Sequence, residues 1–275
     1  MKRLPAASCA IAAALFAVCT TVHAESGPLW ELGLGAGVAR IPHYRGADQS
    51  GNLLLPLPYV VYRGPILKAD REGARAMLFA HGAWELNLSA WLNPSVDSAD
   101  NEARRGMPRL PATGEIGPNL KLHLLDDRAR EQRVTLQLPV RAVVALQRHA
   151  RIEGWQAAPH VQWESRRLLP RWNLSVQTGP VWADRALNRW IYGVDSAYAN
   201  ADRPAYSARG GYAGWTTIAT LTRRVDRWWI GAYLRSDLMQ GAVFADSPLL
   251  RRRHTLAGGI GFARIFAQSS RQVTD

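Results

Sequence analysis

A serine hydroxyl beside an imidazole can attack an ester, so the serines and histidines of this chain come first. Ser247 and His254 lie in one polar stretch, and they form the one suggestive pair for a hydrolase of membrane lipid. Such a pair works only in fixed geometry, with the base oriented by a third group, and spacing alone supplies neither. The remaining histidines past the N-terminal stretch are His43, His81, His123, His149 and His160, scattered singly and without metal-ligand spacing. Both cysteines, Cys9 and Cys19, fall near the N-terminus, so no thiolate site or disulfide is available to the rest of the chain. Gly33-Leu34-Gly35-Ala36-Gly37 is half of a dinucleotide fingerprint. It lacks the third glycine at the right spacing and the helix that should follow, so it reads as small residues in a strand. His-Glu-x-x-His, Gly-x-Ser-x-Gly and phosphate-loop patterns are missing. The expectation is a protein without cofactor, metal or enzymatic activity.

Basic residues are the other chemical resource. Lys and Arg number 34 against 22 Asp and Glu, a net charge of +12. That excess favours anionic neighbours: acidic lipid, anionic solutes or nucleic acid. Arg104, Arg105 and Arg109, and the run Arg251-Arg252-Arg253, suit bidentate pairing with lipopolysaccharide phosphates, though a solvated loop would carry the same residues. A hydrophobic share of 47% with 20% charged residues excludes intrinsic disorder. The mean hydropathy is −0.18, and no long apolar run follows the first two dozen residues, which excludes a bundle of membrane helices.

The first two dozen residues have their own logic. Lys2 and Arg3 precede the apolar stretch Ala6 to Val18, and Val22-His23-Ala24 is an acceptable processing site. Residues 1–24 are therefore expected to be a cleaved signal peptide and residues 25–275 a single exported domain. Export makes nucleic acid an unsuitable partner. An exported chain with no disulfide depends on hydrogen bonding and packing, a demand that a closed barrel meets.

The elements that would position these residues repeat with a period of two. Trp30, Leu32, Leu34, Ala36 and Val38 alternate with Glu31 and small residues, and Trp84, Leu86, Leu88 and Ala90 alternate with Glu85, Asn87 and Ser89. Val134, Leu136, Leu138, Val140, Ala142, Val144 and Leu146 stand opposite Thr135, Gln137 and Arg141. Each run is a ribbon with one apolar and one polar face. The runs exceed ordinary soluble strands and match the ~9–11 residues that cross a bilayer at a tilt. About twelve are legible, near 30–39, 52–62, 65–69, 75–81, 83–92, 112–125, 132–148, 154–168, 171–184, 208–224, 227–240 and 254–267. Short turns at Arg63-Gly64, His81-Gly82, Leu169-Pro170 and Val225-Asp226 alternate with long polar connections at 40–51, 93–111, 185–207 and 241–253. The fold class expected is all-β, an antiparallel transmembrane β-barrel of about twelve strands with both termini on the periplasmic side. Pairs such as Trp155 with Trp163, and Trp172 with Trp182, are spaced to span an apolar band between aromatic girdles. Pro139, Pro159 and Pro180 each remove a ladder donor and should mark bulges or strand ends.

These residues carry a resemblance. The opening Trp30-Glu31-Leu32-Gly33-Leu34-Gly35-Ala36-Gly37, followed by Pro42-His43-Tyr44-Arg45-Gly46, resembles the start of the MipA/OmpV family. Pro58-Tyr59, Tyr192-Gly193-Val194, Tyr206, Gly210-Gly211 and Asp246-Ser247-Pro248-Leu249 follow in the family's order. The resemblance implies a non-enzymatic barrel of the Gram-negative cell outer membrane. Its best-known member is a scaffold joining a murein hydrolase to a murein polymerase in peptidoglycan metabolism, and others are linked to adhesion. The ending departs from the family: Ala267 to Asp275 follow Phe266, where family barrels finish on a terminal aromatic.

Turn chemistry assigns structural roles to the shared motifs. Pro42 and Gly46 suit a turn after the first strand, with Tyr44 at the membrane interface, and Asp246-Ser247-Pro248 suits a second turn. The same loops could instead converge on a small-ligand site at the mouth. Three functions follow: a scaffold, a narrow channel for small anions using Lys121, Arg141 and Arg235 in the lumen, and, least favoured, a lipid hydrolase. On the lumen face, Glu85, Glu115 and Glu164 should meet these cations.

Overall fold

The computed structural model describes residues 26–70, 73–94, 101–127, 129–166 and 171–274. Residues 1–24, expected to be a signal peptide, and the expected Leu169-Pro170 turn lie outside them. The strands run β1 (Ser26–Pro28), β2 (Trp30–Pro42), β3 (Ser50–Arg63), β4 (Leu67–Asp70), β5 (Gly73–His81), β6 (Trp84–Asn93), β7 (Thr113–Asp127) and β8 (Gln132–Ala145). They continue as β9 (Arg151–Ala157), β10 (His160–Ser165), β11 (Asn173–Ala183), β12 (Gly211–Val225), β13 (Trp228–Leu238), β14 (His254–Gln268) and β15 (Gln272–Thr274), with one helix, α1 (Arg185–Tyr192).

Thirteen of these strands form one antiparallel sheet, β2 to β14, in which β14 returns to pair with β2. β8 pairs with both β9 and β10, and so does β11, so β9 and β10 are two halves of one stave. The result is a closed ring of twelve staves. The stave breaks at Ala158-Pro159, because proline cannot donate to the ladder. Pro139 and Pro180 stay inside continuous strands; the latter sits beside a bulge between Val181 and Trp182.

Alternation decides which face each residue takes. On β8, Thr135 and Gln137 are buried in the interior while Leu138 and Val140 are exposed on the outer wall. Gln137 joins an amide ladder across four staves: Asn119 Nδ2 donates to Gln137 Oε1 (2.9 Å) and Gln137 Nε2 to Gln162 Oε1 (2.5 Å), with Asn87 opposite Asn119 on β6. The outer wall presents Leu34, Val38, Leu54, Ile116, Leu234, Ile260 and Phe262, exposed as a lipid-facing band requires. Trp84, Trp155, Trp182, Trp215 and Trp228 are exposed on the same outer wall.

Both termini meet at one end. Residues beyond Phe266 are not a loose extension: β14 continues to Gln268, and β15 pairs with β1 through Ser26↔Thr274, Gly27↔Val273 and Pro28↔Gln272. A buried carboxylate ties this ribbon to the barrel. Glu31 is fully buried and accepts from Arg63 Nη1 (2.9 Å) and Arg224 Nη1 (2.5 Å), while Arg63 Nη1 also donates to the Pro28 carbonyl (2.7 Å). One small residue in β2 is required by close approach: a Cβ on Gly35 would collide with the Phe262 carbonyl of β14.

Placing a cation on the lipid face tests this facing. Leu138→Arg should cost ~2–4 kcal/mol in reversible folding into lipid vesicles, and Gln147→Arg, in an exposed connection, close to nothing. Equal losses for the two would contradict the assignment.

Candidate functional site

The end opposite the termini is where the shared motifs converge. Connections 43–49, 101–112, 184–210 and 239–253 pack there into a cap whose core is Tyr44, Leu110, Leu187, Tyr192, Met239 and Phe244, joined by Val143, Val181 and Ala213 from the strand tops. Helix α1 starts at Asp184, whose side chain accepts from the Leu187 N–H (2.8 Å), and ends at Gly193. This helix places Tyr192 at the centre, almost fully buried and stacked on Phe244 with ring centroids 3.6 Å apart.

Three side-chain hydrogen bonds to backbone interlock the loops. Tyr192 Oη donates to the Arg45 carbonyl (2.9 Å), Tyr44 Oη to the Leu249 carbonyl (2.7 Å), and Ser247 Oγ to the Tyr192 carbonyl (2.7 Å). Val194 and Tyr206 exchange backbone bonds of 2.9 Å. Gly46, at φ +91°, accepts from both Arg251 and Arg252 N–H, and a Cβ there would strike Leu250. Arg104 is buried over the Tyr44 ring and donates to the Ile191 carbonyl (2.7 Å).

Beneath the cap, the lumen charges are paired. Asp237 meets Arg45 (3.0 Å) and Arg235 (2.7 Å) and accepts from Thr216 (2.6 Å). Arg141 donates to Ser89 (3.0 Å) and pairs with Glu115 (3.5 Å), which also accepts from Asn93 (2.7 Å). Lys121 lies 3.9 Å from Glu85, and Asn87 donates to the same carboxylate. Lys121, Arg141 and Arg235 thus point inward, each toward a carboxylate. Burial pushes the cap phenols up: Tyr192 to about 12 and Tyr44 beyond the usual range, with the Arg104 charge opposing at Tyr44. Burial lowers Arg104 to about 10, against the pull of Tyr44.

Several expectations change at this point. Tyr44 is inside the cap rather than at the membrane interface. Arg104 is a buried strut, unavailable to phosphate, whereas Arg252 and Arg253 are exposed. Ser247 and His254 do not meet: Ser247 bonds backbone, and His254 Nε2 contacts Ser236 Oγ at 2.9 Å on the outer wall. The remaining motif positions fall as follows: Trp30 opposite Tyr62, Gly33 and Gly37 on the inner face of β2, Pro42 opposite Ser50 at its end, and Asp246-Ser247-Pro248 in a turn closed by Leu250 N–H to Ser247 O. An open depression of about 500 Å³ lies on the cap beside Arg189, Val194, Asp195 and Tyr206. Among the described residues no cluster of histidine and carboxylate side chains could hold a metal ion. Sequence reasoning missed Arg45, Asp184 and Asp237. Asp184 had a local signal, an N-cap residue before Leu187 and Ile191 spaced one turn apart.

Residues 34–266 match the sequence model of MltA-interacting protein MipA. No curated protein sequence matches the chain. Among solved structures, a porin is similar at 7% identity, with 86% of this chain and 100% of that chain covered and a TM-score of 0.33. The CymD monoaromatic hydrocarbon channel is similar at 9% identity, covering 89% of this chain and 68% of that one, with a TM-score of 0.23.

The buried phenols set a pH window for the cap. A phenol raised from 10.0 to about 12 leaves cap stability unchanged below 10 and lowers it as pH climbs from 10 to 12, where the unfolded loop ionises and the folded phenol does not. Arg104, lowered from 12.5 to about 10, acts in the opposite sense over that range, one group against two phenols. In an alkaline titration followed by tyrosinate absorbance, Tyr44 and Tyr192 should ionise last, and Tyr192→Phe should remove one late step. All eight tyrosines ionising together would contradict the buried cap.

Proposed function

The chain belongs to the MltA-interacting protein MipA family, and from that premise we propose that it is a capped, non-enzymatic outer-membrane barrel that anchors murein-metabolising proteins. The observation that carries this reading is the closed mouth: interlocked loops seal it, and Arg45, Arg141, Arg235 and Lys121 beneath are each directed at a carboxylate. A channel for anions needs cations free to exchange counter-ions, and these are committed to Asp237, Glu115 and Glu85.

The proposal includes export by a cleaved segment 1–24, a single barrel domain over 25–275, and lipopolysaccharide as the neighbour of Arg252 and Arg253. The family's name describes a protein that binds MltA; carried over to this chain, it points to a murein hydrolase, with a murein polymerase as the second partner. The docking face would be the end bearing the termini. That face is larger than its short turns suggest, because the β1–β15 ribbon lies there, and exposed Arg171, Arg227 and Arg271 are placed there to meet an acidic partner.

Two measurements test the proposal together. The purified barrel should bind a lytic murein transglycosylase saturably, with several-fold weaker binding for the Arg171→Glu, Arg227→Glu double variant, and should give no current steps in a planar bilayer. Stepwise anion current without transglycosylase binding would replace the anchor with a channel.

A further inference from the structure

Among the described residues the ring has a thin place. β3 makes thirteen pairs with β2 but only two with β4, Tyr62↔Ala69 and Arg63↔Lys68. β4 and β5 turn back at Asp70 and Gly73, and β5 meets β6 no higher than Ala74↔Ala90. Above that hairpin, residues 50–60 of β3 have no paired strand on this side among the described residues, nor does β6 from Trp91 to Asn93. Among the described residues, the wall therefore contains a window. β3 and β6 form its sides and the β4–β5 hairpin its sill. Above it, Asn101 contacts His43 (3.3 Å) and the Glu102 N–H donates to Gln49 (2.9 Å). With two strands missing, the sides stand three interstrand steps apart, ~14 Å at ~4.8 Å per step.

Backbone chemistry shows what the window excludes. Arg63 N–H donates to the Leu29 carbonyl and His43 N–H to the Gln49 carbonyl. With the β2–β3 register, these bonds make the odd residues of β3 face β2 and the even residues face the window. Pro56 and Pro58 occupy two successive window-facing positions, so the middle of the edge has no N–H to offer. A strand added to an edge needs alternating donors and acceptors, and prolines at these positions block it.

Side chains show what the window admits. Leu54 (74% exposed) and Val60 lie on the lipid side of β3, and Leu53, Leu55 and Leu57 on the lumen side. Apolar surface thus passes unbroken around the edge from bilayer to interior. Inside, Leu57 lies across Gly37 and Gly261, where a Cβ on either glycine would strike it. Across the window, Leu92 is exposed outward and Trp91 packs on Gly73.

We propose that this window is a lateral portal through which an acyl chain of the surrounding bilayer enters the lumen and lies along Leu53, Leu55 and Leu57. The carbonyls of Leu54, Pro56 and Pro58 remain as acceptors, served by water at the portal. The portal is independent of any murein partner, and its test uses none.

Past Cys19 the chain has no cysteine, so the protein 25–275 accepts one introduced thiol for a bimane label. The probes are Leu57→Cys behind the window, Thr220→Cys on the inner face of an intact wall, and Leu138→Cys on the lipid face. They are compared in vesicles of phospholipid brominated on its acyl chains. Leu57→Cys should be quenched comparably to Leu138→Cys and several-fold more than Thr220→Cys; Leu55→Cys should repeat the result if Leu57→Cys folds poorly. Quenching of Leu57→Cys no greater than that of Thr220→Cys would overturn the portal. So would quenching by aqueous iodide alone, which would mark a water-filled opening. Protected Leu54 and Val60 amides with no lipid quenching would show a protein strand covering the edge instead.

Discussion

A hydrocarbon interior offers a backbone N–H no partner, and most of this architecture follows from that constraint. The chain meets it by closing β14 onto β2, so that every stave lies between two others. Closure fixes an even count, brings both termini to one end, and leaves irregular backbone within the wall at the Ala158-Pro159 break and the β4–β5 turn, among the described residues. Where closure thins, beside β3, Pro56 and Pro58 remove two of the donors that would face the gap, while those of Leu54 and Val60 remain. Where a stave breaks, at Pro159, β9 and β10 each keep β8 and β11 as neighbours.

Ring closure also creates an interior that must be filled. A wall alternating apolar and polar residues turns its polar face inward, and those groups need partners once water is displaced. The amide ladder from Asn119 to Gln162, and the carboxylates Glu31, Glu85, Glu115 and Asp237 with their cations, meet that need. The cap packs over the loop end of the barrel. The hydrogen bonds from the Tyr192, Ser247 and Tyr44 hydroxyls end on carbonyls of Arg45, Tyr192 and Leu249, so these three join loops through neutral groups, beside the charged Arg104 that donates to the Ile191 carbonyl. Tyr44, Tyr192 and Ser247 thus serve as parts of a lid, which is why they carry so little recognisable chemistry.

The strands were legible because a half-lipid, half-lumen wall writes its period directly into the sequence, as Leu136 to Val140 against Gln137 and Arg141 does. Tryptophans and alternating loop lengths supplied the membrane. The cap was not legible. Its contacts join residues far apart in the chain: Arg45 meets Asp237, and Tyr44 reaches Leu249, with no local pattern to announce either. Helix α1 is eight residues long, too short for its period to stand out among strands. Ser247 looked like a nucleophile because hydroxyl and imidazole were near in sequence, yet its hydroxyl is spent on a turn and on the Tyr192 carbonyl. The β1–β15 ribbon escaped notice because two three-residue strands from opposite ends of the chain have no periodicity to read.

The central claim is that the loop end is a packed lid, continuous with the wall, and not a set of solvated connections. Amide hydrogen exchange of the folded protein in lipid nanodiscs addresses it directly. The amides of Ala47, Val194, Tyr206 and Ala242, all bonded to other backbone groups in the cap, should exchange on the slow timescale of β7 and β8 in the wall. Exchange of these amides as fast as that of an unstructured peptide, with β7 and β8 still protected, would contradict it.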